Sequence, residues 1–139
     1  MRANTTDEFF IDAPRETVQR CLLALGADGG DWWPGARAQS TGGRVRMAAP
    51  IGRARPRVRF GALIANIRPP EGFTWMLEDG ELRGRAEWWL EEFKDGTIVH
   101  YYLDVERNRR ARRLSTSVRR HRWAIRRGLN ALKDLLEKR

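Results

Sequence analysis

Hydrophobic and polar positions change their spacing several times along this chain. Residues 5–12, TTDEFFID, mix β-branched and aromatic residues with polar ones, which predicts a strand with Phe9 and Ile11 on one face and Phe10 on the other. A helix is expected at once. Pro14 suits its first turn, Glu16 adds acidic charge there, and Val18, Cys21, Leu22 and Leu25 repeat at helical spacing until Gly26 ends it. Residues 27–35, ADGGDWWPG, are too rich in glycine for a long element. Asp31 is placed to cap a short turn carrying Trp32 and Trp33, and the segment reads as a lid-like connection.

From Arg37 the spacing drops to two, and turn signals recur at Thr41-Gly42-Gly43, Pro50 to Gly52, Pro69 to Gly72, Asp79-Gly80 and Asp95-Gly96. About five antiparallel strands are predicted between and after them. In the first long one, Val58 and Phe60 alternate with Arg57 and Arg59. The apolar phase then passes to Leu63, Ala65 and Ile67, as a bulge near Gly61 would cause. Phe73, Trp75 and Leu77 share one face of the next strand. The following two strands add Leu82, Gly84, Ala86, Trp88 and Leu90, then Val99, Tyr101, Leu103 and Val105. After Asn108 the spacing returns to helical. Leu114, Val118, Ile125, Leu129, Leu132 and Leu136 form a stripe flanked by His121 and Gly128, with Trp123 on the far side among arginines.

These elements predict a single α+β domain over residues 1–139, with no repeat or linker. One sheet with one apolar face needs a cover, and the C-terminal helix is the only element long enough to supply it. The expected architecture is therefore a curved antiparallel sheet wrapped around that helix, with one or two short helices between strands 1 and 2. The segments FFIDAPRETV, DWWPG, GELRGRAEWWL, DGTIVHYYLDV and RRHRWAIRRGLNALKDLL, in this order and spacing, cover nearly the whole chain. In them the sequence resembles the START-like (SRPBCC) helix-grip superfamily, in particular its polyketide cyclase/dehydrase and lipid transport group. The resemblance implies a cavity between sheet and C-terminal helix for a hydrophobic or aromatic small molecule, lipid or polyketide-like, sometimes with catalysis and often without.

The residues support a pocket independently. Small Gly84, Ala86 and Gly128 would leave the centre of a gripping sheet open, Phe60, Trp75, Trp88 and Tyr101 would wall it, and His121 and Ile125 would face it from the helix. The competing reading is that the same aromatics interlock as a dry core. His121 could orient or protonate a ligand carbonyl with Tyr101 as a phenolic donor, the arrangement a cyclase or dehydratase would need. Without a positioned acid and base pair the sequence points to binding rather than turnover.

Composition adds a second hypothesis. Of 139 residues, 27 are basic and 18 acidic, a net charge of +9, and the charge falls in blocks. Residues 37–68 carry eight basic groups and no acidic one, 71–106 carry ten acidic against three basic, and 107–139 carry thirteen basic against two acidic. Only three of the basic residues are lysines, so part of the arginine excess can be compositional. The last helix nonetheless presents Arg119, Arg120, Arg126 and Arg127 around Trp123, a candidate surface for nucleic acid, ribosome or anionic membrane. Against this, the acidic 71–106 stretch can neutralise the basic 37–68 stretch across neighbouring strands. Trp89, facing outward beside Glu87 and Glu91, is a candidate homodimer contact.

The two histidines and single cysteine have no partners at metal-ligand spacing, and no GxSxG, Walker or GxGxxG loop is present. No metal and no cofactor are expected, and Cys21 reads as a small core hydrophobe. No apolar run reaches the length of a transmembrane helix, and the N-terminal stretch lacks the pattern of a secretory signal. With one cysteine, this gives a cytoplasmic expectation.

Overall fold

Alternating inward and outward side chains over six consecutive strands build one continuous sheet, and its single apolar face sets where everything else must go. The computed structural model describes residues 1–27, 30–51, 57–109 and 111–137. Its elements are β1 (Arg2–Ile11), α1 (Arg15–Leu23), β2 (Arg37–Thr41), β3 (Arg44–Pro50), β4 (Arg57–Arg68), β5 (Gly72–Gly80), β6 (Leu82–Phe93), β7 (Gly96–Arg107) and α2 (Leu114–Glu137). All seven strands are antiparallel in the order β1-β7-β6-β5-β4-β3-β2. β2 to β7 form a meander, and β1 returns to the far edge to pair with β7 from Arg2↔Glu106 to Ile11↔Thr97. The α+β helix-grip architecture expected from the pattern is present, with one helix between the first two strands.

The strand count exceeds the expected one because β2 and β3 form their own hairpin. Its turn is Gly42-Gly43, with both residues at positive φ (58° and 78°), the backbone that a two-residue hairpin turn requires. The turn signal at Pro50 to Gly52 runs into residues 52–56, outside the described residues.

The phase of β4 differs from the sequence expectation. Gly61 pairs with Asp79 and Ala62 with Leu77, so the extra residue lies in β5, at Glu78, and β4 keeps its alternation through the irregularity. Phe60 and Ala62 are buried on the inner face, whereas Ile67 is exposed and Leu63 pairs with the half-exposed Met76. A bulge shifts the phase only of the strand that carries it, and the sequence placed it on the wrong strand. A second irregularity, between Ala65 and Arg68, puts Asn66 in the left-handed region (φ 49°) and ends the regular pairing of β4.

α2 lies against the inner face, packing chiefly on β1, while α1 packs on β6 and β7. Val118, Ile125, Leu129 and Leu132 are buried as the stripe predicted, joined by Ser117, His121, Ala124 and Gly128. α1 buries Val18, Leu22 and also Gln19, whose amide nitrogen donates to the Gly72 carbonyl at 3.3 Å; Cys21 is half-buried.

The connection after α1 is a plug, not a lid. Trp32 and Trp33 are both buried and stacked at 5.7 Å, and the Trp32 indole N–H donates to the Cys21 carbonyl at 2.9 Å. Two adjacent indoles offer too much apolar surface to remain in water, and Gly128 provides the seat. A Cβ built at Gly128 would stand 2.4 Å from Trp33 Cε2. The small residue that suggested free space on α2 is therefore filled by an aromatic ring.

Gly128→Ala opposes two effects. Helix propensity favours alanine by about 1 kcal/mol, while forcing the Trp33 ring aside costs roughly 1–3 kcal/mol. We expect a net destabilisation of up to about 2 kcal/mol, read as a lower urea midpoint. A raised midpoint would show that Trp33 does not occupy this seat.

Candidate functional site

The register of the sheet brings the predicted pocket residues together. Phe73 pairs with Trp88, Trp75 with Ala86 and Trp88 with Tyr101, so the large rings of β5, β6 and β7 occupy adjacent inner positions. Trp88 and Tyr101 have centroids 4.5 Å apart, Trp75 meets Trp88 edge-on at 5.2 Å, and Phe60 from β4 lies 5.5 Å from Trp75. From α2, the His121 ring stands 5.0 Å from Phe60 and stacks on Tyr101 at 5.8 Å, and Ile125 is wholly buried one turn further on. Phe60, Trp75, Trp88, Tyr101, His121 and Ile125 thus belong to one buried cluster.

These rings interdigitate. The space left beside Phe60 and His121, bounded also by Val58, Leu77, Leu82 and Ser117, has a volume of about 10 Å³. That is no more than one water occupies. Glu81 closes its outer end, accepting hydrogen bonds from the Ser117 hydroxyl and, at 3.3 Å, from Arg120.

Inside this apolar cluster sits one polar pair, Tyr101 Oη and His121 Nε2, 2.7 Å apart. Burial, reinforced by the Asp7 carboxylate, raises the Tyr101 pKa well above 10, so the phenol keeps its proton. Burial lowers His121 from the usual 6.5 to about 4, against the opposing pull of Asp7, so the imidazole is neutral at physiological pH. Among the described residues the phenol has no other hydrogen-bond partner, and donating to Nε2 is the arrangement that uses its proton. Among the described residues two buried indole donors lack an acceptor, Trp88 Nε1 in this cluster and Trp33 Nε1 at its seat on α2.

Asp7 is a buried charged residue beside this site that the sequence reading did not single out. It faces Tyr101 across the β1–β7 pairing and is 9 % exposed. Arg122 grips it with two hydrogen bonds of 2.9 Å, and Arg126 adds a third at 3.0 Å. Burial pushes the carboxyl up, but the two guanidinium groups outweigh it and hold its pKa below the usual 3.8. The signal was available, since Asp7 shares the parity of Phe9 and Ile11 in β1.

The arginines expected to form an anionic-partner surface on α2 are partly committed within the fold. Arg126 pairs with Asp7 and Arg120 with Glu81, while Arg119 lies over the Trp123 ring at 5.8 Å; Trp123 and Arg127 are exposed. Trp89 is half-exposed and stacks on His100 at 4.6 Å. Among the described residues no group of His, Cys, Asp and Glu is arranged to hold a metal ion.

Two acid responses in separate pH windows follow. Between about pH 6.5 and 4 the unfolded chain protonates His121 while the folded chain refuses the proton, so stability falls as pH falls through this range. The loss should be on the order of 3 kcal/mol from pH 7 to the lower end, and His121→Gln should flatten it in denaturant titrations. Asp7→Asn should cost about 1–3 kcal/mol at neutral pH. Because the depressed carboxyl contributes fully only above its unfolded value near 3.8, this variant should converge with the wild type as pH falls below that range.

No protein-family model matches the chain, and no curated protein matches its sequence. Solved structures do match in fold. The chain is similar to the Aha1 dimer from Colwellia psychrerythraea (TM-score 0.63, 16 % identity, 98 % of this chain and 97 % of that one). It is similar as well to a START superfamily protein from Mycobacterium smegmatis (TM-score 0.66, 16 % identity, 99 % and 97 %). Ara h 8.0201 superposes over the full length of both chains (TM-score 0.72, 11 % identity, 100 % and 100 %). At these identities the likeness is one of architecture, and with the sheet wrapped on α2 it shows that the chain has the START-like helix-grip fold.

Proposed function

We propose that the protein binds a small, largely apolar molecule carrying a hydrogen-bond acceptor, between the sheet and α2, among Phe60, Trp75, Trp88, Tyr101, His121 and Ile125. The observation that carries this reading is the unmatched Trp88 indole N–H beside the Tyr101–His121 pair, in a cluster otherwise made of hydrocarbon and ring surface. A buried donor without an acceptor costs about 1–3 kcal/mol, and a guest carbonyl would recover that cost. The flat walls of Trp75, Trp88 and Phe60 suit an aromatic or lipid-like body.

The filled state described above is the closed state of this site. Phe60 lies at the narrow gap, and Glu81, Ser117 and Arg120 latch that gap from outside. Binding requires Phe60 to swing and the latch to loosen, so apparent affinity is reduced by the fraction of molecules already open. The proposal is of binding. Tyr101 and His121 are spent on each other, and a cyclase or dehydratase role would first need a ligand to part them. The anionic-partner reading of α2 has less support, because Arg120 and Arg126 serve the latch and the Asp7 clamp.

Native mass spectrometry of freshly purified protein should show a non-covalent mass increment. Titration with 8-anilinonaphthalene-1-sulfonate, followed by tryptophan quenching, should show uptake that Phe60→Ala strengthens about tenfold by removing the plug. Absence of any added mass, together with no uptake of the dye by either protein, would overturn the reading.

A further inference from the structure

The block of eight basic residues in 37–68 meets little of the acidic block that follows it, and the reason is strand order. β4 alone is hydrogen-bonded to β5, so of the arginines on β2 and β3 only Arg44, at the start of β3, reaches a carboxylate on β5. Among the described residues the neutralisation expected from the sequence comes to two pairs, Arg44–Glu78 and Arg68–Glu87. What remains is a row of exposed arginines on the outer face of the sheet.

Register shows how they are arranged. Arg37, Ala48 and Arg59 are direct partners across three strands, as are Gln39, Arg46 and Gly61. Directly paired residues share a face, and Phe60 and Met47 point inward, so both rows point outward. Strands about 4.8 Å apart set Arg37 and Arg59 roughly 10 Å apart across the small side chain of Ala48. The result is a trough with a low floor, Ala48 and Gly61, and walls of guanidinium. Arg109, from the loop before α2, stands at one end, and the open volume is about 750 Å³. Among the described residues Arg37, Arg46, Arg59 and Arg109 make no ion pair. Two carboxylates border the trough: Glu78 is held by Arg44, and Asp79 lies over Gly61.

We propose that this trough is a binding site for single-stranded nucleic acid, held by its phosphate backbone. Forked guanidinium donors match phosphate oxygens in pairs, and a row of them with no aromatic platform reads backbone rather than base. Rows roughly 10 Å apart flank a single backbone closely and cannot enclose a duplex, which is wider than its own major groove of about 12 Å. A bilayer surface does not fit either, because the patch is concave and the apolar residues lining it, Met47 and Phe60, are buried. Its arginine rows point away from the chamber proposed above, Phe60 borders both, and the reading does not depend on a ligand in that chamber.

The test is fluorescence anisotropy of the full chain with a labelled oligothymidylate of about 12 nucleotides, titrated over salt. The wild type should bind at low salt with affinity falling steeply as salt rises. The triple variant Arg37→Gln, Arg46→Gln, Arg59→Gln should lose at least about tenfold in affinity at low salt, and its log–log salt slope should shrink by about 2, at roughly 0.7 per phosphate contact removed. Arg119→Gln with Arg127→Gln on α2 should leave both values unchanged, and Arg46→Glu alone should weaken binding if the triple variant fails to fold. Three results would each overturn the proposal. These are no binding by the wild type at low salt, loss through the α2 variant instead of the trough variants, and arginine-dependent binding to phosphatidylglycerol vesicles without binding to the oligonucleotide.

Discussion

The structure depends on a shortage of cover. Six consecutive strands and β1 present one apolar face, and α2 is the one described element long enough to shield it. Burial of that face fixes the position of the helix, and the helix in turn decides what can occupy the interior. Trp33 resting on Gly128, Phe60 against His121, and Asp7 between Arg122 and Arg126 are three solutions to fitting one helix onto one curved sheet. The first is shape, the second is ring packing and the third is charge. Only the third resists being read as ordinary core, because a carboxylate is removed from water there and must be matched.

Much of this was legible in the sequence, for a definite physical reason. Period-two alternation in β5, β6 and β7 and the stripe on α2 each report a face, and faces alone define this fold. Phe60, Trp75, Trp88, Tyr101, His121 and Ile125 could be grouped because each lies on a face that must point inward. The failures share a different cause. The phase of Leu63, Ala65 and Ile67 was misread because a bulge belongs to one strand of a pair, and one strand read alone does not say which. The room beneath α2 was overestimated because Trp32 and Trp33 lie in a segment with no period, so nothing local says they turn inward.

Charge shows the same limit more sharply. The blocks are visible in one dimension, yet which block meets which is settled by strand order. Adjacency in sequence suggested that 71–106 would neutralise 37–68. Among the described residues the meander lets only Arg44 and Arg68 do so, with Glu78 and Glu87, leaving one flank of the sheet basic while the acidic flank pairs with arginines on its own strands and on β1, as in Arg83–Glu106 and Arg2–Asp104. The two faces of the sheet are chemically separate. Its inner side holds rings and a neutral imidazole, and its outer side near β2 and β3 holds unneutralised guanidinium groups.

The pairing of β1 with β7 has a consequence for how the molecule is made. Arg2 meets Glu106, so β1 has no hydrogen-bonding neighbour in the sheet until about a hundred residues later, and Asp7 meets Arg122 and Arg126 later still. During translation the meander can grow hairpin by hairpin, each closing against the last, while β1 waits as an unpaired ribbon. Such an edge is a template for unwanted partners, and the alternating Arg2, Asn4, Thr6 and Glu8 along its other side supply the polarity that discourages them. Pairing of β1 therefore has to await β7, and the ion cluster at Asp7 can close only once α2 is present.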